Sequence, residues 1–163
     1  MTIINKQISK QFLLILSVIL ISCTSTKKIA TNSSITFKTI DKNTNGGFQE
    51  LTQEVYTNQI AFEKAWKLAW SNFSDPTPIP VVDFNKDIVV LVAIGMRNNG
   101  GYQLKINLVS EETNQIIVDY TETTPNPKCT YSQSIVFPYE FISFPKNPKK
   151  VVFKSSSKVG ECR

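Results

Sequence analysis

The chain of 163 residues contains no histidine. That absence removes Ser-His-Asp and Cys-His nucleophiles. It also leaves any zinc site to carboxylates and cysteines alone, a poor donor set for that ion. Glycine is scarce, at six residues, and the glycines spell neither a P-loop nor a GxGxxG turn. Basic residues are scattered rather than gathered into a nucleic-acid-binding stripe. Two carboxylate pairs remain, Asp83 with Asp87 and Glu111 with Glu112, but such spacing in a loop or turn does not fix the separation that acid–base chemistry needs. The sequence therefore reads as a non-enzyme with no metal and no cofactor.

Long apolar runs are equally rare. The one at the N-terminus, Phe12 to Ile21, is interrupted only by Ser17. As a helix its roughly ten residues span about 15 Å, half of a bilayer core. Lys6 and Lys10 precede it and Leu20-Ile21-Ser22-Cys23 ends it. This order of basic, apolar and small-plus-cysteine elements is that of a cleaved export signal, and its end resembles the lipobox of bacterial lipoproteins. The resemblance implies a signal over residues 1–22, cleavage before Cys23, and acylation of Cys23, palmitate included. Several acyl chains on one residue make a stable anchor, each buried methylene adding about 0.8 kcal/mol. Thr24 stands where aspartate would signal inner-membrane retention, so the expected location is the cell envelope, at the outer membrane. Residues 23–34 are polar, small and basic and read as a flexible tether. Residues 35–163 then form a single domain, long enough for a core of its own.

Without Lys6 and Lys10, sixteen of the eighteen basic side chains face thirteen acidic ones, a net +3. The last of them gather in "KNPKKVVFKSSSK", which suits either a lysine-protected edge strand or contact with anionic lipid or an acidic partner. With Cys23 acylated, Cys129 and Cys162 are left as an even pair in an oxidising compartment, and a disulfide between them is expected.

Within the domain, Phe62, Ala65, Trp66, Ala69, Trp70 and Phe73 form one apolar stripe at helical spacing. Asn58 is its candidate N-cap, and "DPTPIP" at 75–80 ends it. The remainder has strand character. Segments on either side of "TNGGFQ" (44–49) suggest a hairpin over 35–56, since Asn-Gly is the strongest short hairpin signal. "DIVVLVAIG" is continuously apolar, as a strand covered on both faces would be. "YQLKINLV" and "QIIVDYTE" alternate, and with it they suggest a three-strand meander. "SIVFPYEFISFP" and "KKVVFKS" complete the set. The expected class is α+β: one mainly antiparallel β domain of about seven strands with a single amphipathic helix packed on it.

"RNNGGYQ" (97–103) falls at the first bend of that meander and repeats the chemistry of "TNGGFQ". Gly100 and Gly101 allow positive φ and close approach of another backbone, and Arg97 and Tyr102 are residue types enriched at interface anchors. Two readings stand: a tight turn, or a contact loop formed by Arg97, Asn98, Asn99, Gly100, Gly101 and Tyr102.

Asp83-Phe84, the apolar strand, Gly95, Gly100-Gly101-Tyr102, Pro127, Cys129 and Pro138-Tyr139 together resemble the C-terminal domain of PrcB-like protease-complex subunits, and the helix ending at Trp70 fits the segment before it. The likeness spans roughly residues 48–155 and departs at Asn99, where threonine is usual. It implies non-catalytic association with an exported protease. Two alternatives are a chagasin-like protease inhibitor, whose bend Asn98 to Tyr102 resembles, and a structural envelope lipoprotein without a protease partner.

Overall fold

The structure, a computed structural model, describes residues 33–162. Cys23 and the expected signal lie outside the described residues. The elements are β1 (Ser33–Ile35), β2 (Lys38–Asn43), β3 (Leu51–Tyr56), α1 (Gln59–Ala69), β4 (Asp87–Ile94), β5 (Gln103–Glu111), β6 (Gln115–Thr124), β7 (Tyr139–Pro145) and β8 (Lys150–Val159). Ser33 and Ser34, read above as tether, already belong to β1, which pairs Ser33 with Glu111.

Two four-stranded sheets stack as a sandwich, one ordered β1-β5-β6-β8 and the other β2-β7-β4-β3. All pairs are antiparallel except β6 with β8. Helix α1 covers the outer face of the second sheet, which makes the expected α+β class correct, with eight strands among the described residues. Alternation along β4 sends Ile88, Val90, Val92 and Ile94 into the core between the sheets, beside Leu104, Ile106, Ile116, Val118 and Phe144. It sends Val89, Leu91 and Ala93 to the other side, under Phe62, Trp66 and Ala69 of the helix. Strand β4 is thus covered on both faces, as its unbroken apolar run requires. Each large side chain so buried contributes roughly 1.5–3 kcal/mol.

Helix α1 begins where expected. The Asn58 side chain accepts from Ala61 N (2.9 Å), satisfying one of the orphan N–H groups of the first turn. Trp66 packs edge-on against Phe62 and donates its indole N–H to Thr77 O (3.0 Å), pinning the proline-rich segment beneath it.

Two expected connections are corrected. Strands β2 and β3 are not a hairpin: they lie at opposite edges of one sheet. The reason is burial. β4 and β7 carry nearly continuous apolar sequence and take the centre, which pushes the half-polar β2 and β3 outward. "TNGGFQ" is a strap across the sheet end, with Phe48 buried against Tyr139 and Phe141. The three-strand meander is also replaced. Both sides of β4 are taken by β3 and β7, so the chain leaves that sheet after Gly95 and enters the other as β5. Only the β5–β6 hairpin remains of it. A bulge between Ile106 and Leu108 then rotates the strand, so that Leu108 turns out to solvent and Val109 turns in.

Candidate functional site

"RNNGGYQ" is therefore a crossover between sheets. Its first residue is held by a two-way backbone bridge, Arg97 N to Val136 O (2.8 Å) and Val136 N to Arg97 O (2.9 Å). The Arg97 guanidinium reaches across the sandwich end to Glu122 on β6, through Nε–Oε1 (2.7 Å) and a second bond at 3.3 Å. A forked pair of this kind is directional and strong. The Glu122 bonds further favour the charged guanidinium. The same group lies 5.7 Å from the centroid of the Tyr102 ring, a cation–π distance. Arg97 is thus engaged within the molecule, and Tyr102 is half-buried beside it.

The glycines behave differently from the expectation. Neither Gly100 nor Gly101 has positive φ; among the described glycines only Gly95 does, at 77°. What the pair permits is close approach by the chain itself. A Cβ on Gly101 would sit 2.7 Å from the Tyr131 ring, and one on Gly100 would collide with Ser132 Oγ. Gly100 N also donates to Ser132 O (3.0 Å). Gly101 is buried, while Asn98 and Gly100 are exposed and Asn99 is half-buried. Asn99 Oδ1 accepts from Gly101 N (2.9 Å) and locks the bend. In the strap, Gly46 receives the ring of Tyr139 in the same way. Both Asn-Gly-Gly copies are seats for a tyrosine ring, and neither is a hairpin turn.

The seat at Gly100-Gly101 forms one wall of an open cleft of about 790 Å³. Residues 128–131 form a second wall, and Lys158 to Cys162 a third. The Cys129–Cys162 disulfide, with Cα atoms 5.4 Å apart, joins those two walls. Asn126 braces the loop: its Nδ2 donates to Gly160 O (3.1 Å) and its backbone N–H donates to the Tyr131 hydroxyl (3.0 Å). Lys128, Lys158 and Glu161 are its exposed charged lining residues. A smaller depression of about 220 Å³ lies on the other side of Gly100, beside Lys42 and Pro138. Of the cleft walls at 128–131 and 158–162 the sequence marks only Cys129, Cys162 and Lys158 of the basic cluster. The walls are remote in the chain, and the cysteine pair is the one signal linking them.

The carboxylate pairs are not brought together as pairs. Asp83 bonds Lys86 (3.1 Å) and caps the turn into β4, and these bonds hold its carboxyl below the usual range. Glu111 bonds Lys149 (2.7 Å) and is likewise lowered, whereas Glu112 bonds Gln115. No group of three histidine, cysteine or carboxylate side chains suited to a metal occurs among the described residues. Other residues of the resemblance pack or turn the chain. Phe84 lies against Phe62, Gly95 would clash with Gln49 O and Glu50 C if it bore a Cβ, and Tyr139 donates to Asp41 (2.6 Å).

Comparison with curated proteins and with solved structures finds no match. The family model described as PrcB C-terminal matches residues 88–145, from the second residue of β4 to the end of β7, so the resemblance expected from the sequence is shown over that span.

Proposed function

We propose that this chain is a non-catalytic envelope protein, lipid-anchored through Cys23, which binds and supports an exported protease or protease complex through the cleft beside Arg97, Asn98, Asn99, Gly100, Gly101 and Tyr102. The observation that carries the reading is the span of the family match. Residues 88–145 include the crossover and the Cys129 loop, two of the three cleft walls. A second support is the direction of the domain. The described chain begins at Ser33 beside Glu111, at the far end of β5 from Gln103. Eight residue steps of strand separate those ends by about 27 Å. In this reading a tether joined at Ser33 would attach at the end of β5 remote from the cleft.

The crossover does not act as an inserted plug in this reading, because Gly101 is buried against the Tyr131 ring and Gly100 has Ser132 Oγ where a Cβ would stand. Contact falls instead to its exposed neighbours, Asn98 and the cleft-lining Lys128 and Thr130.

The test is cross-linking in the native envelope, recovery of the full chain, and identification of its partners by mass spectrometry. The reading expects an exported protease to be recovered with undiminished activity. Inhibition of that protease by the purified chain would instead favour the chagasin-like alternative, and recovery of envelope proteins without any protease would favour a structural lipoprotein. Labelling with palmitate, lost in Cys23→Ser, tests the anchor separately.

A further inference from the structure

The last strand of the first sheet has an uncovered edge. β8 runs for ten residues along β6, in parallel, and among the described residues nothing pairs with its other side. Residues 154–159 are all exposed, so neither face of that half is packed. Val159 is 60 % exposed. Gly160 N donates to Thr124 O (2.8 Å) and Lys158 O accepts from the Thr124 hydroxyl (3.3 Å). Even-numbered residues thus turn their backbone groups towards β6. Alternation then turns the N–H and C=O of Val151, Phe153, Ser155, Ser157 and Val159 to solvent. An edge of this length is a template for another strand.

The lysines decide which strand. Lys150, Lys154 and Lys158 recur every fourth residue and share the outer face of the sheet with Asp119, the partner of Lys154 at 4.0 Å. The inner-facing positions from 151 to 159 carry no charge. A second copy of β8 laid alongside would set one lysine row against another, and like charges directly opposite are destabilising. The chain's own segment 24–32, with Lys27 and Lys28, is disfavoured for the same reason. An acidic strand meets the opposite condition.

We propose that the outer edge of β8 is a strand-addition site for an extended, acidic segment of a partner protein. Acidic side chains of the added strand face the lysine row, and small or apolar ones lie on the inner side over Val159. This surface needs no protease as its partner and stands apart from the function proposed above, although Lys158 also reaches the cleft rim.

The probe is a fluorescent synthetic peptide of alternating Thr and Val, matched to the ten residues of β8, with Glu at every fourth position; its control carries Lys instead. The Glu peptide is expected to bind the full chain at least about tenfold more tightly than the Lys peptide, a difference of about 1.4 kcal/mol. Ser155→Pro removes one outward N–H without touching the β6 ladder and is expected to abolish binding while circular dichroism stays unchanged. The double variant Lys150→Glu, Lys154→Glu should reverse the peptide preference, which keeps the proposal testable if the proline variant misfolds. Failure of the Glu peptide to bind overturns it. So does equal binding by a folded Ser155→Pro chain, or binding of phosphatidylglycerol vesicles in place of peptide, since either would make the lysines a simple charged patch.

Discussion

Gly101 lies flat against Tyr131, with room for no Cβ: one placed there would stand 2.7–2.9 Å from three atoms of the ring. Gly101→Ala is therefore expected to destabilise the domain by about 1–3 kcal/mol, as overpacking does. Tyr131→Ala in the same chain should recover part of that loss. A double-mutant cycle read by urea denaturation checks it; additive effects would show that the two residues do not meet. Bulky substitution at Gly101 is for this reason a stability probe and not a clean test of binding.

Glu140 is a buried carboxylate between the sheets. It accepts from Ile106 N (2.8 Å), the Thr39 hydroxyl (3.2 Å) and Lys42 Nζ (3.4 Å). Ile106 borders the β5 bulge, so the carboxylate occupies a donor beside the break in the ladder. Glu140→Leu should cost roughly 2–3 kcal/mol by stranding that N–H, and Glu140→Gln clearly less. Lys42 is half-exposed, so Lys42→Ala should lose under about 1 kcal/mol. Equal losses for the Leu and Gln variants would mean that the backbone bond is unimportant.

Two phenols make stability sensitive to alkali. Tyr139 donates to Asp41 (2.6 Å) and Tyr56 to Glu54. Burial first, and these bonds second, hold both above the ordinary value of 10.0. In the unfolded chain they ionise near pH 10 while the folded state keeps them neutral, so stability present below about pH 10 is lost as the pH rises past it. The urea midpoint should be nearly flat between about pH 8 and 9 and fall above about pH 10. Tyr139→Phe should flatten that fall; an unchanged slope would contradict the assignment.

The Cys129–Cys162 bond closes a separation of 33 residues. Reduction, or Cys162→Ser, should lower stability by roughly 3–4 kcal/mol on the chain-entropy estimate and the melting midpoint by about 10–20 °C. It should also free residues 160–162 from the cleft wall, seen as faster amide exchange at Gly160. A melting curve indifferent to reductant would show that the bond is not formed in the protein.

How much of this was legible in the sequence varies with the range of the interaction. The α1 stripe and the Asn58 cap are local, and both were readable. The two-sided burial of β4 was readable from its unbroken apolar run. Strand partners were not, because Asn-Gly marks a reversal only when both flanks can pair locally. At 44–49 the flanks β2 and β3 pair with β7 and β4 instead of each other, and at 97–103 the preceding β4 has both sides taken. The alternation of "YQLKINLV" does not carry through to Leu108, because a bulge has no period-2 signature. The cleft itself escaped notice because residues 128–131 and 158–162 meet only through the fold and the cysteine pair.

The central claim is that the cleft beside the crossover binds an exported protease. The most direct measurement is the affinity of the full chain for the protease recovered from its own envelope, compared with the double variant Asn98→Arg, Lys128→Glu, whose side chains are exposed and whose substitution leaves the core untouched. The account expects a loss of at least about tenfold, or about 1.4 kcal/mol, with an unchanged melting curve. Equal affinity of wild type and variant would contradict it.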